Sequence, residues 1–175
     1  MPFSDLMHTY FRGERIESLY FLVPYGVLCL AFAVVAVRAE RNAFGWGLAI
    51  PMVLMALVAI GVGGGVGVRT PAQVAALDQV LAQEGPAAVL AIEQPRMAQV
   101  NHNWGVYLSA YAVAIALGAG LRFGLRADLA HGLGIGLIFF GASGLIIDGF
   151  AERRARIYTQ ALDTLAGGAE LRKIP

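Results

Sequence analysis

The side chains best suited to chemistry in this sequence are a few acids, a few bases and one imidazole. Glu93 and Arg96 are three residues apart, so one helical turn would place them side by side if Pro95 between them permits it. His102 follows just before an apolar run. A carboxylate or an imidazole beside a guanidinium suits general acid–base chemistry on an anionic substrate. We therefore take Glu93 and His102 as the candidate catalytic residues.

A second group of charges follows the last apolar run of the chain. If that run ends on the same membrane face as Arg96, the two groups form one polar cluster that could hold a ligand or a lipid headgroup. The interpretation that we favour is structural: the charges pair with one another, and the arginines meet anionic lipid at about 1 kcal/mol each. The candidate ligand or headgroup-binding residues are Arg96, Asp148, Glu152, Arg153 and Arg154.

Three aromatic residues recur at helical spacing at the start of the third apolar run. Trp104, Tyr107 and Tyr111 follow the i, i+3, i+7 pattern, so a helix would present them on one face. Such a stripe could line a cleft for a lipid or a quinone. Packing between helices, with the hydroxyls bonded locally, is the more common arrangement and the one that we favour.

The metal-ligating residue types do not gather into a pattern. His102 and His131 begin successive apolar runs, so in a spanning topology they lie on opposite membrane faces and cannot share one haem iron. His8 falls on the face of His102, but no third ligand at a known spacing accompanies them. The single cysteine, Cys29, excludes an intrachain disulfide and a cysteine-based zinc site. We predict no cofactor and no metal.

The elements that position these residues are long apolar runs. The chain is 58% hydrophobic and 14% charged, with mean hydropathy +0.65, whereas soluble domains carry about 25% charged residues. A bilayer core about 30 Å thick needs about 20 apolar residues in a helix. Four such runs occur, at residues 19–37, 43–68, 104–121 and 129–147. The sequence therefore predicts an all-α integral membrane protein, a four-transmembrane-helix bundle forming a single membrane domain over residues 1–160.

The segments outside these runs also have helical patterns. Apolar residues recur at helical spacing from Phe3 to Phe11, which predicts an N-terminal amphipathic helix that lies in the membrane interface and ends near Gly13. Residues 70–102, between the second and third spans, predict a helical loop of two short helices. The loop is interrupted after Glu84 and again at Pro95. Residues 161–175 are interpreted as a polar C-terminal tail.

The distribution of basic residues predicts the orientation. The N-terminus, the central loop and the segment after the last span lie on one side of the membrane, and seven arginines there flank the spans. The two loops on the other side carry four. By the positive-inside rule, both termini are cytoplasmic in a bacterial-type inner (plasma) membrane. The formal net charge of +1 gives no basic field for nucleic acid. The expected partners are the lipid bilayer and further membrane subunits or further copies of this chain.

Small residues form the richest pattern within the runs. Glycines spaced four apart let helix backbones approach closely in a medium that supplies little hydrophobic drive. We favour packing within the chain, and a homo-oligomer interface is the alternative. The candidate helix-packing residues are Gly61, Gly65, Gly132, Gly136, Gly141 and Gly144.

These observations leave three functions open. The leading hypothesis is a non-enzymatic accessory subunit or scaffold, because the apolar runs hold no charge and the catalytic patterns are weak. Such a protein could also self-associate through its glycine faces. The second is an enzyme that acts on a lipid or another amphiphile at the cytoplasmic interface. The third is a passive pore or carrier for a small solute.

Overall fold

The computed structural model describes the backbone of residues 3–171 and the side chains of residues 3–167, and every regular element in it is helical. This confirms the all-α class. Helix α1 continues through a π-helical segment into α2, and three much longer helices follow. The elements are α1 (Phe3–Glu17), the π-helical segment (Ser18–Leu22), α2 (Val23–Glu40), α3 (Ala43–Gln83), α4 (Pro86–Gly124) and α5 (Asp128–Leu171).

The N-terminal helix does not end at Gly13, where the sequence placed its end. The chain stays helical through the π-helical segment into α2. Gly13 is instead a contact position: a Cβ built on it would lie 2.8 Å from Cδ of Arg154 on α5. The Arg154 side chain of α5 therefore crosses α1 at Gly13.

Helix α3 joins the predicted second span to the first of the two predicted loop helices. The sequence placed a helix start at Thr70 and Pro71, but Pro71 lies inside α3. The Thr70 hydroxyl donates to the carbonyl oxygen of Val66 at 2.7 Å, so this side chain bonds back along the helix and does not cap a new one. Pro71 removes one backbone donor, yet the helix continues, because the buried side chains of Thr70 and Leu77 pack the turns around it.

The predicted interruption after Glu84 is confirmed, whereas the one at Pro95 is wrong. Gly85 has φ +85°, a conformation that side-chain-bearing residues rarely adopt, and Pro86 opens α4 with a fixed φ suited to a first helical turn. Helix α4 then runs through Pro95 without a break as far as Gly124. The residues predicted as loop 70–102 are therefore the ends of two long helices and the short turn between them.

Helix α5 also extends further than the sequence indicated. Residues 161–171, taken as the start of a polar tail, continue α5, and Leu162 is buried. The helix continues because Ala155, Tyr158 and Leu162 form one apolar stripe that packs against α1, α3 and α4. Residues 172–175 of the predicted tail lie outside the described residues.

Four helices are long and apolar enough to cross a membrane, which confirms the predicted number. Helix α4 packs along α5, α5 also packs on α3, and α3 packs on α2, whereas α3 and α4 touch only sparingly. This leaves a cleft between α3 and α4. The four helical stretches are Phe3–Glu40, Ala43–Gln83, Pro86–Gly124 and Asp128–Gly167.

The helices divide along their length into two halves of opposite character. We call residues 16–68 and 104–150 the apolar half, because its large apolar side chains face outward. We call residues 3–15, 69–103 and 151–167 the polar half, because only Ile92 and Ile157 among its described large apolar side chains are exposed. Large apolar side chains such as Phe11, Met97 and Tyr158 fill the interior of the polar half.

Candidate functional site

The candidate base Glu93 lies in the core of the polar half, with none of its surface exposed. Arg96, one helical turn further along α4, grips its carboxylate with two parallel bonds, Nε to Oε1 at 2.8 Å and a terminal nitrogen to Oε2 at 2.6 Å. The hydroxyl of Tyr158 on α5 donates to Oε2 at 3.1 Å. Both carboxylate oxygens therefore have donors, and a buried charge needs that set of partners.

Aromatic rings from α1 cover this ion pair. The Arg96 guanidinium carbon lies 5.2 Å from the ring centroid of Phe11 and 5.7 Å from that of Tyr10, within the range of cation–π attraction. Tyr10 in turn stacks on Tyr158 with ring centroids 4.4 Å apart. We call Glu93, Arg96, Tyr158, Tyr10 and Phe11 the buried network.

Burial raises the pKa of both phenols of the buried network above the ordinary value. It raises the pKa of the Tyr158 hydroxyl, and the adjacent Glu93 carboxylate raises that pKa further. Burial likewise raises the pKa of Tyr10, with Glu14 adding to the effect. At neutral pH Tyr158 is therefore a hydrogen-bond donor and not a base.

The second candidate catalytic residue does not meet the first. His102 is exposed on α4, nine residues beyond Glu93, which is about 13 Å along the helix axis. Within the described part of the chain no side chain bonds to its imidazole. His8, on α1, pairs instead with Asp78 on α3 at 2.8 Å.

Among the described residues, the charges after the fourth span make no ion pair with Glu93 or Arg96. Asp148 accepts a hydrogen bond from the hydroxyl of Tyr111 at 2.7 Å. Arg154 pairs with Glu17 at the end of α1. Arg153 is exposed and Glu152 half-buried, and among the described residues neither makes an ion pair.

Sequence reasoning missed Tyr158 and Glu17 as members of these networks. Tyr158 could have been found from the spacing of Ala155, Tyr158 and Leu162, which continues an apolar helical stripe beyond the predicted span. Glu17 gave no signal, because its partner Arg154 lies 137 residues away in the chain.

The three aromatic residues of the predicted stripe do line a cavity. It has a volume of about 300 Å³, and we call it the α3–α4 cleft. Its lining comes from α3, from α4 with these three aromatic residues, from α5, and from the π-helical segment and α2. The other described lining residues are Leu22, Tyr25, Met55, Val58, Ala59, Val62, Gly144, Ile147 and Asp148.

One polar atom beside the α3–α4 cleft has no partner. The indole nitrogen Nε1 of Trp104 is buried, and no acceptor among the described residues lies within hydrogen-bonding distance. A buried N–H without an acceptor is unfavourable, and such groups are rare in native proteins.

The candidate packing glycines divide into two groups. A Cβ built on Gly136 would lie 2.8 Å from a ring carbon of Pro51, and one on Gly141 would lie 2.6 Å from the carbonyl oxygen of Tyr111. Gly132 and Gly144 are equally crowded, by the α3 backbone and by the Tyr111 ring. These four positions therefore need glycine for contacts between helices within the chain.

Gly61 and Gly65 behave differently. A Cβ built on either position would meet nothing within 4 Å. Their face of α3 is not used for packing by the described part of this chain.

The fold and these sites define the class of protein: an all-helical chain with four helices long and apolar enough to cross a membrane. Within residues 3–167, no three His, Cys, Asp or Glu side chains are placed to hold a metal ion. Comparison with protein-family models, with curated proteins and with solved structures finds no match for this chain.

Proposed function

We propose that this chain is a non-enzymatic membrane component, an accessory subunit or scaffold that is built around a helical bundle standing on one side of the bilayer. The observation that carries the proposal is the buried network. Glu93 is inaccessible, its oxygens are occupied, and His102 is far from it. Groups that bond only to one another stabilise a fold, and they offer a substrate no acid or base.

The division into two halves supports the membrane placement. Helix α3 has 41 residues and is therefore about 60 Å long, roughly twice the thickness of a bilayer core. Among the described residues, large apolar side chains face outward only in the apolar half, apart from Ile92 and Ile157. We place the apolar half in lipid and the polar half in the aqueous phase. Trp46 and Trp104 then lie near opposite interfaces, where tryptophan is enriched.

The arginine distribution supports an orientation with both termini and the polar half in the cytoplasm of a bacterial-type cell, and the apolar half in its inner membrane. Arg38→Cys and Arg69→Cys test this orientation, since a membrane-impermeant maleimide should label them from opposite sides in vesicles. Cys29→Ser is the background for both variants, and labelling from one side would contradict the topology.

A scaffold needs a surface for other subunits, and the open face of α3 is our candidate. An exposed glycine in a helix interior costs about 1 kcal/mol relative to alanine, and Gly61 and Gly65 gain no contact with the described part of the chain in return. Close approach of another helix supplies such a contact. We therefore propose that a second copy of this chain, or another membrane subunit, packs there.

Disulfide trapping in native membranes tests this association. In a Cys29→Ser background, Gly65→Cys should give a cross-linked dimer or an adduct with a partner upon mild oxidation. Val35→Cys is the matched control, because Val35 is 60% exposed near the other end of the apolar half, on α2. Equal cross-linking at both positions would contradict the proposal. So would the absence of cross-linking at position 65, if the protein is also a monomer that co-purifies with no partner.

The enzyme alternative is tested through its own candidate residues. If this chain converted a lipid, His102→Ala and Glu93→Gln would abolish that conversion while the helical content stayed unchanged. The scaffold proposal predicts no turnover of phospholipids by the wild type in proteoliposomes. The pore alternative predicts solute flux across the same liposomes, whereas the scaffold proposal predicts none.

A further inference from the structure

We infer that the α3–α4 cleft binds one membrane phospholipid with an amine-bearing headgroup and holds it as a structural lipid. This inference rests on the membrane placement proposed above. Three features of the cleft support it: an unpartnered donor, an apolar wall that faces the bilayer, and one acidic side chain.

The donor is the indole N–H of Trp104. It is buried and lacks an acceptor in the part of the chain that the structure describes, although a buried N–H needs one. In the proposed placement Trp104 lies near the interface, the depth at which glycerolipids carry their ester carbonyls. A carbonyl oxygen of a lipid would accept this hydrogen bond once the side chains that cover the indole nitrogen move apart as the lipid enters the cleft.

The wall that α3 contributes suits an acyl chain. Met55, Val58 and Val62 extend from the level of the aromatic residues towards the middle of the apolar half. Helices α3 and α4 make few direct contacts, so the cleft opens sideways between them, and in a bilayer that opening faces lipid. Its volume of about 300 Å³ suits one acyl chain better than a whole lipid.

The charge of the cleft selects the headgroup. Asp148 is the only charged residue among the described lining side chains, and no Lys, Arg or His is among them. Tyr111 donates to Oδ2 of Asp148, and no described residue bonds to Oδ1. That oxygen can accept a hydrogen bond from an ammonium group, whereas an anionic headgroup would be repelled. We therefore choose phosphatidylethanolamine over phosphatidylglycerol.

Native mass spectrometry of the full chain in mild detergent tests the inference. The protein is stripped of lipid by detergent exchange and then titrated with phosphatidylethanolamine or phosphatidylglycerol. The wild type should retain one phosphatidylethanolamine and bind it more tightly than phosphatidylglycerol. Trp104→Phe removes the donor, and Val62→Phe fills the cleft without touching the donor. Each should weaken binding about tenfold.

Each variant has a matched control. Trp46→Phe removes the other tryptophan, which is 59% exposed, and Val53→Phe adds the same bulk on another face of α3. Both controls should bind as the wild type does. Asp148→Asn should reduce the preference for phosphatidylethanolamine over phosphatidylglycerol.

A fluorescence measurement separates this inference from the membrane placement. In Trp104→Phe the only tryptophan is Trp46, which brominated lipids should quench if the apolar half lies in the bilayer. Absence of quenching would overturn both the placement and the inference. Quenching together with unchanged lipid binding in Trp104→Phe and Val62→Phe would overturn the inference alone. Equal binding of the two lipids, or a neutral isoprenoid as the retained mass, would also overturn it.

Discussion

The two halves of this molecule are built from the same four helices, yet their interiors are filled in opposite ways. In the polar half, large side chains such as Phe11, Met97 and Tyr158 are fully or almost fully buried. In the apolar half, the buried positions hold mostly glycine, alanine and methionine, while phenylalanine, leucine and valine face outward. Gly136 against Pro51 is typical of the contacts between helices there.

This difference shows what each surrounding medium can stabilise. In water, burial of large apolar side chains drives helices together, because each buried square ångström of apolar surface contributes about 25 cal/mol. In lipid that drive is absent, so close backbone approach and dispersion contacts replace it. The buried ion pair of Glu93 and Arg96 lies in the polar half, where water is the alternative environment. In the apolar half, the hydroxyls of Tyr25 and Tyr111 donate to Ser143 and Asp148.

The largest expected effect is loss of the arginine of the buried network. Arg96→Met leaves Glu93 buried without its charged partner, which should lower the free energy of unfolding by about 3–5 kcal/mol. Thermal unfolding in detergent, followed by circular dichroism, measures the change.

Two further variants sharpen this test. The double variant Glu93→Leu/Arg96→Met removes both charges and should recover a large part of the loss. Arg153→Met is the control, because Arg153 is exposed and among the described residues makes no ion pair. If Arg96→Met were no more destabilising than Arg153→Met, the buried network would not support the fold of the polar half.

The next effect concerns the interior of the apolar half. Gly132→Ala adds a methyl group where the α3 backbone already lies against α5, and the forced separation should cost about 1–3 kcal/mol. Gly120→Ala is the control, since its Cβ would meet no described atom within 4 Å. Equal melting temperatures for the two variants would show that close approach of backbones does not hold this half together.

A smaller effect is expected at the edge of the buried network. Tyr158→Phe removes the hydroxyl that donates to Glu93 while keeping the ring stacked on Tyr10. The free energy of unfolding should fall by about 1–2 kcal/mol, because Arg96 still binds both carboxylate oxygens. The comparison is with Tyr20→Phe, at a tyrosine that is 73% exposed, and no difference between them would contradict the role assigned to the hydroxyl.

The smallest effect belongs to an exposed pair of the polar half. His8 and Asp78 are 2.8 Å apart, but their side chains are about half exposed. Asp78→Asn should therefore change the free energy of unfolding by less than about 0.5 kcal/mol, as is usual for surface pairs. Chemical denaturation at low and high salt would measure this, and a change above about 1 kcal/mol would show that the pair is coupled to the core beneath it.

The sequence was sufficient to predict how many long helices the chain forms and that they are apolar. Four uncharged runs of bilayer length predict four long apolar helices, and Gly85 followed by Pro86 predicts the break between α3 and α4. Pro71, Pro95 and Gly13 gave wrong helix boundaries. Local turn signals are weak compared with tertiary packing, which holds these residues within continuous helices.

Less of the candidate site could be predicted from the sequence. The spacing of Glu93 and Arg96 predicts their pairing, which the structure contains, and the spacing of Trp104, Tyr107 and Tyr111 predicts a shared face. The partners from other helices gave no comparable signal. These contacts depend on how helices distant in the chain are aligned. They are the contacts of Tyr158 with Glu93, of Glu17 with Arg154 and of Tyr111 with Asp148.

The sequence by itself determined that this chain forms four apolar helices, because helical periodicity and uncharged length are local properties of consecutive residues. Only the tertiary structure decided that each helix continues far beyond its apolar run, that Glu93 is enclosed, and that Gly61 and Gly65 are open while Gly132 and Gly136 are closed. Burial depends on which helix lies opposite, and that is fixed by the packing of the whole bundle, not by any segment alone.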